Sequence, residues 1–198
     1  MGQNRSIVKT FITLYILAAA LTVSLFAQES RINEELASPM TEIPLKQAMG
    51  KEAYDDAIGS GRYRYIGNSK CRLCHRKFFI GRKRDAHDYA MEKLAKSGHE
   101  ESPRCLICHS TGYGTDTGFV SMKSTPRLAN VQCEGCHGPG NEHVRLIKAK
   151  KKGGFLAGVD HPERLKNICK SCHTQRWDKS YHDLQKAYDS YKSADPKR

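Results

Sequence analysis

The chain has 198 residues, eight cysteines, nine histidines and a formal net charge of +12 at pH 7. Its length corresponds to one ordinary domain. A sequence pI near 9.4 is typical of nucleic-acid-binding proteins. The cofactors inferred below weaken that interpretation, because their acidic groups need basic counter-charges, and we expect no nucleic-acid partner.

The N-terminus has the pattern of a secretory signal peptide. Arg5 and Lys9 precede an uncharged, mostly apolar run over residues 11–26, and a plausible cleavage point follows Ala27. An uncleaved membrane anchor is the alternative, although the run is slightly short for a membrane-spanning helix. We therefore expect residues 1–27 to be a signal peptide and the mature protein to be periplasmic or extracellular.

The mature chain is expected to begin with a polar N-terminal arm over residues 28–62. Its proline and glycine residues leave room for one short helix, over residues 45–58. Alternating apolar residues at 63–66 favour a short strand. The remainder, residues 63–198, is the predicted cofactor-binding domain.

Four segments have the pattern C-x-x-C-H, the attachment signature of c-type haem. In that chemistry two thiols bond to the porphyrin vinyl groups, and the adjacent histidine binds the iron from one face. The cysteines are Cys71 and Cys74, Cys105 and Cys108, Cys133 and Cys136, and Cys169 and Cys172, followed by His75, His109, His137 and His173.

Zinc binding, thiol redox chemistry and disulfide bonding fit these cysteines less well. All three use paired cysteines, but none of them needs a histidine in the next position. All eight cysteines fall in the four motifs. We therefore predict four covalently attached c-type haems. We expect a mainly α fold with extensive loops, organised around the haems, because too little protein surrounds each porphyrin for a separate apolar core.

The segments between the motifs predict helices and loops. A long helix is expected over 71–96, ended by Ser97 and Gly98. Turn residues dominate 110–132, with a small hairpin near 119–122. The further helices are expected over 142–151 with Asn141 as N-cap, from Asp160 and Pro162 into the fourth motif, and over 177–191.

Five histidines lie outside the motifs and are candidate sixth ligands: His87, His99, His143, His161 and His182. In a continuous helix His87 would lie about 18 Å from His75 along the axis, so it would serve a different haem. His143, six residues after His137, is too close in sequence to span its own haem. The supply of histidine favours bis-His iron and low reduction potentials.

At this point the sequence resembles the tetrahaem cytochrome c-554 family, over about residues 63–182. The resemblance rests on a histidine 12 residues after the first motif, on the second motif continued by Ser-Thr-Gly-Tyr-Gly, and on the third motif followed by Gly-Pro-Gly with His143 close behind. The last block is far more specific than C-x-x-C-H alone.

The resemblance implies crossed ligands, with His87 serving the third haem and His143 serving the first. His182 is the nearest match for the ligand of the fourth haem. The second haem of the family's namesake is five-coordinate, whereas this chain has His99 and His161 to spare, and either could close that position.

The sequence leaves three candidate functions. The first is an exported electron carrier with no catalytic residues, passing electrons between redox partners, including an acidic protein or a membrane-associated oxidase or reductase. The second is an enzyme that reduces a small nitrogen oxide at an open second haem. The third is a subunit that self-assembles into an extracellular cytochrome filament.

Overall fold

The computed structural model describes residues 20–22, 24, 42–81 and 86–174. Residues 20–22 and 24 are helical and belong to the first of two compact units, Met1–Met40. The second unit, Thr41–Arg198, contains all four motifs. None of the helices in the described ranges combines the length and the apolar composition that a bilayer crossing requires.

The described part of the second unit is helical and rich in loops. It contains no β-strand, only one isolated antiparallel bridge between Ser110 and Ala129. The mainly α prediction is confirmed. The helices are α1 (Pro44–Met49), α2 (Lys51–Gly59), α3 (Asn68–Cys74), α4 (Arg76–Gly81), α5 (Ala90–Lys96), α6 (Pro103–His109), α7 (Cys133–His137), α8 (Asn141–Lys148) and α9 (Pro162–Cys172), with 3-10 turns at Ala86–Tyr89 and Pro126–Leu128.

Two predicted helices are interrupted. The helix expected over 45–58 is divided into α1 and α2 at Gly50, whose φ of +83° a helix does not allow. The long helix expected over 71–96 ends at His75, with φ −99° and ψ 33°. No proline or glycine marks His75, so local sequence gives no sign of this break. Ser97 does end α5, as predicted.

The strand expected at residues 63–66 does not form, because side chains rather than a neighbouring strand accept its backbone N–H groups. The N–H of Tyr65 donates to Thr117 Oγ1 (3.0 Å), and that of Ile66 donates to Glu134 Oε1 (2.9 Å). The hairpin expected near 119–122 is also absent. The N–H of Val120 donates to Thr125 Oγ1 at 2.7 Å.

Two predicted N-caps are wrong by one residue. Helix α8 begins at Asn141 itself, whose side chain binds the arm instead: its Oδ1 accepts the N–H of Arg64 and its Nδ2 donates to the carbonyl of Arg62. Helix α9 is capped at His161 rather than Asp160, although Pro162 occupies the first turn as predicted.

Two apolar clusters lie in the second unit. The first packs around the second motif and consists of Tyr65, Met91, Leu94, Leu106, Phe119, Leu128 and Ala129. The second joins the N-terminal arm to the fourth-motif helix and consists of Leu45, Tyr54, Leu156, Ala157 and Ile168. The arm therefore contributes core residues through α1 and α2. The predicted domain boundary at 62/63 stays a prediction, and the helix expected over 177–191 and most of the expected signal peptide (1–27) lie outside the described residues.

Candidate haem-binding site

All four motifs open onto one cavity of about 2080 Å³. Single small-molecule and cofactor sites occupy about 300–1,000 Å³, so this space suits more than one cofactor. The cavity is lined by every motif histidine and by all motif cysteines except Cys105, and also by His87 and His143. Six of the nine histidines therefore face the same space.

The chemistry of the cavity wall fits haem. Four strongly exposed apolar side chains contribute to the lining: Leu73, Ile80, Ile147 and Val159. Among the described residues the charged lining consists of one acid, Asp160, and six bases: Lys70, Arg76, Lys77, Lys93, Lys148 and Lys152. Apolar walls with a cationic excess match a porphyrin that has two propionates.

A cysteine of motif one contacts a cysteine of motif three, and a cysteine of motif two contacts a cysteine of motif four. The hydrogen bond that the Cys71 thiol donates to Cys133, together with burial, raises the pKa of Cys71. The hydrogen bond with Cys108, again with burial, raises the pKa of Cys172, and the same bond lowers the pKa of Cys108. The attachment points of motifs one and three are therefore neighbours, as are those of motifs two and four.

The rings of His75 and His143 have centroids 6.3 Å apart and planes 27° apart. Two imidazoles on opposite faces of one metal, with metal–nitrogen bonds of about 2.0 Å each, have centroids about 6 Å apart. The observed separation fits one iron between them. His143 is the histidine after Gly-Pro-Gly, and His75 belongs to the first motif.

Residues 153–155 hold the His143 ring. Its Nδ1 lies 2.8 Å from the carbonyl oxygen of Gly153, which can only accept, so Nδ1 bears the proton and Nε2 has the lone pair. The Phe155 ring stacks on it at 4.3 Å and 23°. A ring nitrogen donating to a backbone carbonyl is the usual support of a metal-binding histidine.

Glycine at 154 is required by this contact. Its φ is +93°, and a Cβ there would lie 2.6 Å from the backbone nitrogen of His143. The sequence analysis gave Gly153, Gly154 and Phe155 no role. The pair of glycines before an aromatic residue was the available signal.

The second and third motif histidines have their own supports. Nδ1 of His109 lies 3.0 Å from the carbonyl oxygen of Ala90, the first residue of α5. The ring of His137 packs against Gly158, where the positive φ of +106° and the absence of a Cβ leave room for it. Phe155 also touches His137, with centroids 5.3 Å apart, so one phenyl ring contacts a histidine of each of motifs one and three.

The remaining candidate ligands are placed unequally. The His87 ring lies beside His173 of the fourth motif, with centroids 5.8 Å apart and planes 86° apart. His99 is exposed, and the side chain of His161 is 39% exposed, with its Nδ1 3.7 Å from Glu163 Oε1; neither residue lines the cavity. His182 lies outside the described residues.

Two buried carboxylates fasten the walls of the cavity. Glu134, between the cysteines of motif three, is 1% exposed and accepts the N–H groups of Ile66, Gly67 and Gly140, the last at 2.7 Å. Burial raises the pKa of Glu134, against the opposing effect of these three donors. The sequence analysis gave Glu134 no role.

Glu142, in the first turn of α8, is the second carboxylate, and it binds two guanidinium groups. Arg145 donates at 2.6 Å and Arg62 at 2.9 Å. These hydrogen bonds lower the pKa of Glu142 to about 2. The Arg62–Glu142 ion pair connects the end of the N-terminal arm to α8, the helix that positions His143.

The chain is similar in sequence to known proteins. Residues 70–138 match the family described as cytochrome c554 and c-prime. The chain is 29% identical over 134 residues to cytochrome c-554 of Nitrosomonas europaea, covering 55% of this chain and 57% of that protein. It is 29% identical over 94 residues to the multiheme cytochrome MtrA of Shewanella baltica, covering 40% and 26% respectively.

The matches thus span less than two thirds of either relative. No solved structure matches the chain. The family match includes the first three motifs and the residues that link them, and both named relatives are cytochromes. The chain is therefore similar to the cytochrome c-554 family over residues 70–138, and it has the haem-attachment motifs of a c-type cytochrome.

Proposed function

We propose that the protein is an exported electron-transfer protein with four covalently attached c-type haems. The observation that carries this proposal is the shared cavity, which all four motif histidines and seven of the eight motif cysteines line. Haem iron supplies one-electron chemistry by cycling between its ferric and ferrous forms. The residues of the chain attach, ligate and space the cofactors.

His75 and His143 would hold the iron of a haem attached at the first motif. Their separation of 6.3 Å suits a shared iron, and the Gly153 carbonyl holds His143 in the tautomer that leaves Nε2 for the metal. Two fixed imidazoles keep the coordination the same in both oxidation states, which favours rapid electron transfer over binding of a substrate. Bis-His ligation also favours a low potential.

The paired thiols support transfer between cofactors. Cys71 contacts Cys133, and Cys108 contacts Cys172, so groups attached at these sulfurs lie close together. Haems held at these cysteines would exchange electrons over a short distance. The arrangement suits a carrier that relays charge through the molecule between a donor and an acceptor.

The charge of the chain favours an acidic partner. Helix α3 and the start of α4 place Lys70, Arg72, Arg76 and Lys77 around the first motif, and residues 69–81 contain no acid. Such a patch would speed encounter with an acidic donor or acceptor, with an on-rate that falls as salt rises. The N-terminal pattern supports a periplasmic or extracellular location.

The test is a haem count combined with electron paramagnetic resonance (EPR) of the oxidised protein. Pyridine haemochrome analysis should give four haems per chain, and the EPR spectrum should be dominated by low-spin ferric haem. Stopped-flow mixing with a low-potential reductant should reduce all four haems, and an acceptor should reoxidise them. A count other than four, or haems that do not exchange electrons, would refute the proposal.

A second candidate function is the binding and reduction of a small nitrogen oxide at the second motif. His99 and His161 lie outside the cavity, so neither is placed to close the sixth position opposite His109. Nitric oxide or cyanide should then shift the spectrum of one haem in four. If neither ligand changes the spectrum, only the electron-carrier function remains.

Assembly into a filament stays a prediction. Size-exclusion chromatography of the native protein distinguishes a filament from a monomer.

A further inference from the structure

Glu134 lies beside the attachment points of two motifs. It follows Cys133 of motif three, and the Cys133 sulfur contacts the Cys71 sulfur of motif one. The pKa of the Cys71 thiol is raised first by its hydrogen bond to Cys133 and by burial, and the negative charge of Glu134 adds to the increase. The electric field of this carboxylate therefore reaches the first motif as well as its own.

Both oxygens of the carboxylate accept hydrogen bonds from backbone N–H groups. Oε1 accepts from Ile66 at 2.9 Å and from Gly140 at 2.7 Å. Oε2 accepts from Gly67 at 2.6 Å and from Ile66 at 3.1 Å. A proton on either oxygen would point toward one of these donors, whereas an ionised carboxylate satisfies all of them. The hydrogen bonds therefore favour the anion.

Anchoring alone does not require a charge at this position. Gln132, two residues earlier, connects distant segments with a neutral amide: its Oε1 accepts the N–H of Asn68 at 2.8 Å, and its Nε2 donates to the carbonyl of Arg127 at 2.7 Å. Glu134 differs because it places a negative charge where only 1% of the residue is exposed. Water screens a buried charge weakly, so its field stays strong over about 10 Å.

We propose that Glu134 lowers the reduction potentials of the haems attached at the first and third motifs, as one buried negative charge shared by both. The inference rests on haem attachment at these two motifs. Oxidation removes one electron, which passes to the redox partner, and leaves the iron one positive charge richer without making or breaking a bond. A nearby anion stabilises the ferric form more than the ferrous form, so the potential falls.

Arg127 is the nearby cation that opposes this effect. Burial raises the pKa of Glu134, and the backbone donors and the charge of Arg127 lower it, so the guanidinium acts on the same region. The Arg127 side chain is exposed, with Nη1 3.5 Å from the carbonyl oxygen of Tyr65. Since water screens an exposed charge, Arg127 offsets the buried carboxylate only in part. Its removal should strengthen the effect of Glu134.

The test is a potentiometric titration of the holoprotein, followed by absorbance and by EPR. In Glu134→Gln two of the four midpoint potentials should rise. The ferrous-to-ferric ratio of those two haems at a fixed solution potential should increase about tenfold, or about 59 mV for a one-electron couple. Low-spin EPR signals at unchanged positions would show that the axial ligands are intact. Glu52→Gln removes an exposed acid of α2 and is the matched control, with four unchanged potentials.

Two further variants assign the effect. His143→Ala removes the second ring placed opposite His75, and the potential that it changes should be one of the two that Glu134→Gln raises. Glu134→Asp keeps the charge, but its shorter side chain cannot reach all the N–H donors. An effect of charge moves the potentials in Glu134→Gln and spares them in Glu134→Asp, whereas a purely structural effect does the reverse.

The inference is wrong if Glu134→Gln leaves all four potentials unchanged, raises all four equally or lowers any of them. Should Glu134→Gln fail to attach its haems, Arg127→Met decides: two potentials should fall, one of them the potential that His143→Ala changes. Unchanged potentials in Arg127→Met would overturn the inference. A wild-type haem count other than four would refute the proposed function separately, whereas four haems with unmoved potentials would refute this inference alone.

Discussion

Between their two cysteines, the second motif has Leu106 and Ile107, and the third has Glu134 and Gly135. Leu106 is 3% exposed and lies in the apolar cluster of Met91, Phe119 and Leu128. Glu134 is 1% exposed and accepts three backbone N–H groups from outside its own helix. One haem signature is thus anchored by apolar packing and the other by a buried carboxylate.

The difference shows what the two variable positions of C-x-x-C-H do. Haem attachment fixes both cysteines and the histidine, so only the intervening residues are free to join the motif to the protein. Leu106 joins the second motif to a local core. Glu134 joins the third motif to residues 66–67, just before the first motif, and to Gly140, just before the helix that holds His143.

The largest effect is expected from Glu134→Leu. The substitution leaves the N–H groups of Ile66, Gly67 and Gly140 buried without an acceptor, at about 1–3 kcal/mol each. We expect the free energy of unfolding of the holoprotein to fall by about 3 kcal/mol or more, measured by guanidinium denaturation. Glu134→Gln keeps one carbonyl acceptor and should lose less. Equal stability of Glu134→Leu and wild type would show that the carboxylate is not an anchor.

Leu106→Ala should have the second-largest effect, which arises from lost apolar packing rather than from lost hydrogen bonds. It creates a cavity in the apolar cluster and should cost about 3 kcal/mol. Haem spectra of the first and third motifs should stay unchanged, since the hydrogen bonds of Glu134 that connect these motifs remain in place. Leu106→Met, which preserves volume, is the control and should cost less than about 1.5 kcal/mol. If Leu106→Ala changed the spectrum of the haem held by His75 and His143, the Leu106 cluster and Glu134 would not be independent anchors.

The parts of the site that follow from covalent chemistry were predictable from the sequence. The motifs identify their own residues, and Gly-Pro-Gly with His143 pointed to the helix that contributes a second ring opposite His75. The anchors could not be predicted, because they depend on contacts between distant segments. Glu134 and Ile66 are 68 positions apart in the sequence.

The breaks in regular structure were missed for a related reason. Periodicity predicted one helix over 71–96, since no proline or glycine marks the turn at His75. Gly154 is the opposite case: the sequence analysis gave this glycine no role, but its close contact with the backbone of His143 leaves no room for a Cβ. Glycines are visible in the sequence, but tertiary contacts determine the conformation that each of them adopts in the fold.

A smaller effect, dependent on pH, should come from Arg62. Its hydrogen bond and that of Arg145 lower the pKa of Glu142 from an ordinary 4.5 to about 2. A carboxyl whose pKa is lower in the folded state stabilises the fold above its unfolded pKa, and this stabilisation is lost as the pH falls through the folded value. Wild type should therefore lose stability from about pH 5 down to about pH 2.

In Arg62→Met the pKa of Glu142 should rise toward its ordinary value, so the loss of stability between these pH values should be smaller. Chemical denaturation across the acid range measures it. Arg64→Met removes the same charge from an exposed side chain two residues away and is the matched control. Identical pH profiles for Arg62→Met and wild type would show that the Arg62 contact does not hold Glu142 ionised.

The smallest effect is expected in the first motif, where both variable positions, Arg72 and Leu73, are exposed. The Arg72 guanidinium lies over the Phe79 ring, 4.9 Å from its centroid. Such a contact at an exposed site contributes about 0.5–1 kcal/mol. Arg72→Ala should therefore reduce the free energy of unfolding by less than about 1 kcal/mol, with Lys70→Ala as a control for charge alone. Because Glu134 already fixes the chain at residues 66–67, the first motif needs no anchor of its own. A larger loss in Arg72→Ala would mean that the first motif is anchored through its own variable residues.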